Sequence, residues 1–173
     1  MCVTSRTHPR PPPVPDPVEL VARAIHEDYV RRKSGARKSA PDDPSLAAWD
    51  DLPDDLRHSN RAQAADIAGK LRAVSCEIAP KTDPRPPVRD LAPEEVEMLA
   101  KLEHDRWEAE RRADGWVYGP TRDAASKRSP YLVPWEELSE EVRDLDRDAV
   151  RAIPRLLDEA GLIAVRSSGS TRP

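Results

Sequence analysis

The chain of 173 residues contains one sequence pattern twice, and this repetition limits the folds open to it. The segment WDDLPDDLRHSNRAQAADIAGKL, which begins at Trp49, aligns without a gap with WEELSEEVRDLDRDAVRAIPRLL, which begins at Trp135. The offset is 86 residues, and the aligned pairs include Leu52 with Leu138. Repeated units of this kind bury their apolar faces against one another. The repetition therefore predicts two similar halves packed about a pseudo-twofold axis.

The match continues upstream of these segments at a smaller offset. LVARAIHEDYV aligns with MLAKLEHDRWE at an offset of 78 residues, which places His26 on His104 and Tyr29 on Trp107. Because the offset then rises to 86, the second copy must contain eight more residues before its Trp135. We expect those residues to form a longer loop.

Proline clusters divide the chain. Six of its 19 prolines fall within the first 17 residues, and a second cluster, PKTDPRPP, begins at residue 80. Proline-rich segments of this kind are typical of extended leaders and linkers. The predicted organisation is therefore a disordered leader, a degenerate first repeat, a linker, a second repeat and a disordered tail: 1–17, 18–79, 80–93, 94–166 and 167–173.

Helical signals dominate both copies, so the predicted fold class is mostly α. In the second copy Pro93 is suited to the first turn of a helix, and Gly115 to the position just after its end. Ser139 is expected to precede another helix, Asp146 to cap a further one, and Pro154 to kink or divide it. Only residues 131–133 and 162–165 have strand composition, so a small β-hairpin is the most that we expect.

Composition excludes several classes of function. The formal net charge is −4, which argues against a nucleic-acid partner. No apolar run resembles a signal peptide or a membrane span, so we expect a cytoplasmic protein with no membrane partner. Cys2 and Cys76 belong to no CxxC pair, which argues against a disulfide framework and a zinc site. No metal or cofactor is expected.

The longer loop of the second copy contains an unusual concentration of aromatic residues. The chain has no Phe, four Trp and three Tyr, and four of these aromatics lie in GWVYGPTRDAASKRSPYLVPW, residues 115–135. They are interspersed with glycine, proline and basic residues, a composition typical of a recognition surface. We call residues 115–135 the aromatic loop.

The motifs of the second copy resemble those of the RyR domain, a repeat known from ryanodine receptors and from small bacterial proteins. The resemblance rests on HDRW from His104, on GWVYGPTRD from Gly115, and on Lys127, Pro130 and LVP from Leu132. It covers about residues 94–166, and the degenerate first copy extends it back to about residue 18. The first copy departs from the family pattern because it lacks the GWVYG segment and has Tyr29 in place of the tryptophan.

The resemblance implies a non-enzymatic sensor module that binds an adenine nucleotide or an ADP-ribose-like ligand in the cleft between the repeats. From the residues themselves, aromatic rings would stack on a base and cations would meet a phosphate. The same aromatics could instead be core residues between the copies, and single cations are common at solvated surfaces. The candidate ligand-binding residues are Trp107, Trp116, Tyr118, Arg122, Lys127, Tyr29 and His104.

Two other functions compete with ligand binding. In the first, the aromatic loop and the acidic helix 94–113 dock a protein partner while side chains fill the cleft. In the second, the helix that contains SNRAQAADIAGKL binds DNA, although the acidic net charge weakens that interpretation. No nucleophile and base stand at a recognisable spacing and no phosphate-binding glycine motif is present, so enzyme activity is not expected.

Overall fold

A computed structural model describes residues 16–35 and 43–167 of the chain. The fold is mostly α, as predicted, with two small two-stranded sheets. Its helices and strands in chain order are α1 Pro17–Gly35, α2 Asp54–Ala73, β1 Cys76–Pro80, α3 Pro93–Ala113, β2 Val117–Tyr118, β3 Arg128–Ser129, α4 Glu140–Arg151, α5 Ile153–Glu159 and β4 Leu162–Arg166. The predicted leader falls outside the described residues up to residue 15, and the predicted tail from residue 168.

The two repeats have the same architecture. In each, a long helix leads through a loop to a short 3₁₀ turn that starts with tryptophan, Trp49–Asp51 in the first and Trp135–Glu137 in the second. Nε2 of His26 donates a hydrogen bond of 2.8 Å to the carbonyl oxygen of Ala47. Nε2 of His104 donates one of 2.8 Å to the carbonyl oxygen of Val133. Both histidines therefore fasten the same loop position to the first helix of their repeat.

An ion pair is also repeated, with matching geometry. Nε of Arg61 lies 2.7 Å and Nη2 lies 3.2 Å from the carboxylate oxygens of Glu19. Arg147 and Glu97 form the same two hydrogen bonds at 2.7 and 3.2 Å. Each bidentate pair ties the helix after the 3₁₀ turn to the helix before it.

The pseudo-twofold axis passes through the sheet that joins the repeats. Strands β1 and β4 pair antiparallel, and Ile78 is the partner of Ala164 in the ladder. Ile78 and Ala164 are also equivalent residues at the 86-residue offset, so the ladder is centred on the axis. Backbone hydrogen bonds therefore link two segments that lie far apart in sequence.

Helices from both repeats enclose one main core. Within the repeats α1 packs on α2 and α3 on α4, while α1–α5 and α2–α3 contacts join the repeats. Leu71 and its equivalent Leu157 are completely buried, and Leu52 and Leu138 are nearly so. The equivalent tryptophans Trp49 and Trp135 belong to the same core.

Several local predictions are confirmed and others are wrong. Pro93 begins α3, and Pro154 marks the break between α4 and α5. Asp146 lies inside α4 rather than at a helix start, because α4 already begins at Glu140 after Ser139. The Asp146 carboxylate lies 3.7 Å from Nδ1 of His104. The 80–93 linker packs against β4, because the amide of Val88 donates a 2.7 Å hydrogen bond to the carbonyl of Ala164.

The strand prediction is half correct. Residues 162–165 lie in β4, but residues 131–133 form no strand, because the carbonyls of Leu132 and Val133 accept hydrogen bonds from α3 side chains. Instead of pairing as a hairpin with a nearby segment, β4 pairs with β1 of the other repeat. The second sheet is the short parallel pair of β2 and β3.

Candidate functional site

The aromatic loop begins at a fixed point, the C-terminus of α3. Gly115 has a φ of +84°, a conformation that glycine adopts without strain. The amide of Trp116 donates a 2.9 Å hydrogen bond to the carbonyl of Arg111. Nζ of Lys127 donates one of 2.7 Å to the carbonyl of Asp114, where the helix dipole favours a cation. Lys127, a predicted ligand contact, thus anchors the loop to the helix end.

A turn closes the loop between β2 and β3. The carboxylate of Asp123 accepts hydrogen bonds from the amides of Ala125 and Ser126 at 3.0 and 3.3 Å. Bonds from the hydroxyl and amide of Ser126 lower the pKa of Asp123 below its ordinary value. A Cβ at Gly119 would lie 2.9 Å from Cβ of Arg128, so glycine is required for this close approach. These contacts give the loop a defined backbone.

Trp116 is the centre of a cluster with two arginines. The guanidinium carbon of Arg111, from α3, lies 5.5 Å from the centroid of the Trp116 ring, and that of Arg122 lies 5.9 Å from it. Both distances are in the range of cation–π contacts. We call these three residues the Trp116 cluster. Beside it on β2, Tyr118 is 57 % exposed, so its ring is available to a ligand.

Trp107 and His104 lie one helical turn apart on α3. Their rings are stacked with centroids 6.0 Å apart, and the Trp107 side chain is half-buried. His104 itself is only 2 % exposed and fastens Val133. Its ring therefore contacts Trp107 and holds the end of the loop, and it is too buried for direct contact with a ligand.

The environment of His104 has opposing effects on its pKa. Burial alone lowers the pKa of His104, because it disfavours the charged imidazolium. Interaction with the Asp146 carboxylate and the hydrogen bond to the Val133 carbonyl outweigh burial, so the pKa is raised above its ordinary value. In the first repeat the residue equivalent to Asp146 is Asn60, which has no charge.

Tyr29 lies in the first repeat, at the position equivalent to Trp107. Its hydroxyl shares a 3.2 Å hydrogen bond with the hydroxyl of Ser45, and the Lys33 ammonium lies 5.8 Å from its ring centroid. These contacts are internal to the first repeat. The structure therefore does not bring Tyr29 together with the aromatic loop.

The centre of the contact between the repeats is closed. The cavity there has a volume of about 10 Å³, room for about one water molecule. Nζ of Lys70, which is 2 % exposed, lies 2.5 Å from a carboxylate oxygen of Glu103 beside this cavity. Arg106 contacts the same carboxylate at 2.7 Å. Side chains thus fill the space where the sequence led us to expect a ligand cleft.

Sequence reasoning missed Arg111 and the Lys70–Glu103 pair. The repeat alignment contained a signal for the pair, because Lys70 aligns with Leu156 and Glu103 with Ile25. A charged residue aligned with an apolar core residue indicates a buried charge that needs a partner. Arg111 gave no comparable signal, since arginines are common on the exposed face of a helix.

In the parts of the chain that the structure describes, no group of three or more His, Cys, Asp or Glu is arranged to hold a metal ion. No helix in those parts is long and apolar enough to cross a membrane.

A comparison with protein-family models identifies the second repeat. Residues 90–164 match the model of the RyR domain. The matched range begins just before α3 and ends within β4, and it includes the whole aromatic loop.

Proposed function

Because the second repeat of this chain is an RyR domain, we propose that the protein is a non-enzymatic sensor module that binds a nucleotide-derived small molecule. The ligand is an adenine nucleotide or an ADP-ribose-like compound. It binds at the aromatic loop, where aromatic rings and cations are exposed together.

One observation supports this location above all others. The two repeats share their helices, 3₁₀ turns and fastening contacts, yet the aromatic loop belongs to the second repeat alone. A loop needed only for folding would be expected in both. Tyr118 and the Trp116 cluster give it the planar surface and the positive charge that a base and a phosphate require.

The size of the ligand argues against the inter-repeat centre as its site. Small-molecule sites in proteins usually have volumes of about 300–1,000 Å³, whereas the cavity at the inter-repeat centre has about 10 Å³. Binding at that centre would require the Lys70–Glu103 pair to separate. Binding at the exposed loop requires no such rearrangement.

A thermal-shift screen of nucleotides and ADP-ribose derivatives tests the proposal. A ligand at one hundred times its dissociation constant stabilises the folded state by about 2.7 kcal/mol. For the compound that gives the largest shift, Tyr118→Ala should weaken binding about tenfold or more, since stacking on an aromatic ring contributes about 1–3 kcal/mol per base. Val117→Ala, on the same exposed strand, is the matched control and should bind as the parent does.

Trp107→Ala should also weaken binding of that compound, because the Trp107 ring stacks on His104, which holds the end of the loop through Val133. A half-buried tryptophan contributes to stability, so this variant must first be shown to be folded at the assay temperature. Unchanged affinity in folded Trp107→Ala and Tyr118→Ala proteins would exclude the loop as the ligand site.

A docking module for a protein partner is the second candidate function. It is favoured by the closed inter-repeat centre and by exposed apolar side chains on the second repeat, namely Met98, Leu102 and Leu145. In that case no nucleotide would shift the unfolding temperature.

A further inference from the structure

Three tryptophans in this structure lie each beside two arginines, and two of these clusters are neutralised by carboxylates. In the first, the guanidinium carbons of Arg23 and Arg61 lie 5.4 and 5.6 Å from the ring centroid of Trp49. Arg23 pairs with Asp50 at 3.2 Å, and Arg61 pairs with Glu19 at 2.7 Å. Each cation over the ring thus has an anion beside it.

The equivalent cluster in the second repeat is neutralised by carboxylates in the same way. Arg143 and Arg147 both lie 5.7 Å from the ring centroid of Trp135. Arg143 pairs with Glu140 at 2.7 Å, and Arg147 pairs with both Glu97 and Glu140 at 2.7 and 2.8 Å. The fold therefore uses one arrangement twice: a tryptophan, two guanidinium groups and the oxyanions that neutralise them.

The Trp116 cluster has the same tryptophan and cations but lacks the anions. Its arginines lie 5.5 and 5.9 Å from the ring centroid, as close as in the other two clusters. Within residues 16–35 and 43–167, neither Arg111 nor Arg122 has a carboxylate oxygen within 4.0 Å. The Glu110 carboxylate, whose charge interacts with that of Arg111, is bound instead by Ser59 and Arg106. Two cations near one ring repel each other, and an anion between or beside them offsets that repulsion.

We infer that the Trp116 cluster binds an oxyanion group of the ligand, a phosphate or diphosphate, in the role that glutamate and aspartate carboxylates have in the other two clusters. This inference rests on the proposed function, since it assigns the phosphate end of the nucleotide-derived ligand to Arg111 and Arg122. Guanidinium groups match the geometry of phosphate oxygens and form charge-assisted hydrogen bonds with them.

The surroundings of the cluster fit an anion site. The carboxylate of Asp123, the acidic residue next to Arg122 in sequence, is engaged by the amides of its own turn and by Ser126. Arg128, which packs on Gly119 in the same loop, also forms no ion pair within the described residues. The loop backbone is held at both the helix end and the turn, so the two arginines are positioned before a ligand arrives.

The experiment uses the full chain and three probes: pyrophosphate, ADP and adenosine. Binding is measured by calorimetry at low ionic strength and by the indole N–H resonance of Trp116 in ¹⁵N spectra. The variants are Arg111→Gln and Arg122→Gln, with Arg89→Gln as the control. Arg89 is an exposed arginine outside the cluster, so its variant changes the net charge equally.

The expected result is that pyrophosphate binds and shifts the Trp116 resonance. Each cluster variant should lower the affinity for pyrophosphate and for ADP by about tenfold, as is typical for the loss of one charged hydrogen bond. Arg89→Gln should leave both affinities within about twofold of the parent, since a distant exposed charge acts only through a screened field. The affinity for adenosine, which has no phosphate, should change little in all three variants.

Other outcomes separate this inference from the proposed function. If ADP binds with an affinity that neither cluster variant changes, the oxyanion assignment is overturned and the nucleotide proposal stands. If pyrophosphate binds through the two arginines but ADP binds no more tightly, the oxyanion site stands and the nucleotide proposal fails. Equal weakening by all three variants, or no binding of any probe, overturns the assignment.

Discussion

The first and second repeats share one sequence pattern and one set of contacts, but they differ in the loop that precedes the 3₁₀ turn. Both fasten their loop with a buried histidine, and both place a tryptophan beneath two arginines. Only the second adds an exposed aromatic loop, with a third tryptophan–arginine cluster whose arginines form no ion pair among the residues that the structure describes. We interpret the shared contacts as those that maintain the fold, and the unshared loop as the proposed ligand site.

A second difference lies at the inter-repeat centre. Lys70 of the first repeat and Glu103 of the second form a buried pair, while their equivalents Leu156 and Ile25 are apolar. Two copies of the second repeat packed in this way would place Glu103 against leucine, with only Arg106 of its own helix as a cation beside it. The Lys70–Glu103 contact therefore forms only when unlike repeats meet, and its loss leaves a buried charge with fewer partners.

Separating the repeats should have the largest effect. A fragment of residues 88–173 loses β1, its half of the core and the partner of Glu103, so we expect it to be unfolded in isolation. Circular dichroism during heating should show no cooperative transition for the fragment, whereas the full chain should unfold in one. A cooperative transition of the fragment would contradict the view that each repeat needs the other.

Truncating the equivalent tryptophans should have the next largest effect. Trp49→Ala and Trp135→Ala each remove a buried ring, and each should lower the free energy of unfolding by about 3–5 kcal/mol. Urea denaturation is expected to show one transition in both variants, with losses that agree within about 1 kcal/mol. Two separate transitions, or a loss confined to one variant, would show that the repeats are not equal halves of one core.

Breaking the buried pair should have an intermediate effect. Lys70→Leu leaves Glu103 buried with only Arg106 beside it, so we expect a loss of about 3 kcal/mol in the free energy of unfolding. Lys70→Leu combined with Glu103→Ile copies the apolar residues of the equivalent positions and should regain most of that loss. A double-mutant cycle from urea denaturation measures the coupling.

The control for this cycle is Lys101→Leu, which removes an exposed ion pair with Glu136 of 3.3 Å. Exposed pairs contribute only about 0–1 kcal/mol, so this variant should be close to the parent. If Lys70→Leu costs no more than Lys101→Leu, the pair at the inter-repeat centre contributes no more than a surface contact.

The parts of the fold that depend on local sequence could be predicted. Pro93, Gly115 and Pro154 determine helix ends through their own backbone restrictions, and each lies where the structure has a helix boundary. The repeat could also be recognised, because equivalent residues keep both their spacing and their chemistry. His26 and His104 fasten equivalent carbonyls, in agreement with that alignment.

Features that depend on distant residues could not be predicted in the same way. CEIAP, the sequence of β1, is too short to show a strand pattern, and its partner β4 lies in the other repeat. Asp146 resembles a helix cap by type but interacts with His104 from inside α4. At the candidate site, the aromatic loop is evident from composition. The contact between Arg111 and the Trp116 ring is not, because it depends on the turn at Gly115 that brings the Trp116 amide to the Arg111 carbonyl.

The smallest expected effect concerns pH and the difference between Asp146 and Asn60. The folded-state pKa of His104 is raised by Asp146 and the Val133 carbonyl despite burial, so the folded protein holds the proton more tightly than the unfolded chain does. The resulting stabilisation is fully present below the ordinary pKa of 6.5 and is lost as the pH rises through the raised value. Asp146→Asn should therefore destabilise the protein at pH 5.5 by about 0.2–1 kcal/mol, with a smaller effect at pH 8.5.

The matched control is Asn60→Ala in the first repeat, where no carboxylate is present. It removes the hydrogen bond of 2.8 Å that the Asn60 amide donates to the Leu56 carbonyl, a contact between groups that do not titrate in this range. Its cost in the free energy of unfolding should therefore be the same at pH 5.5 and pH 8.5. Urea denaturation of both variants at the two pH values measures the contrast. An equal loss for Asp146→Asn at both pH values would show that the carboxylate acts on His104 without regard to its charge, and that this difference between the repeats is one of shape.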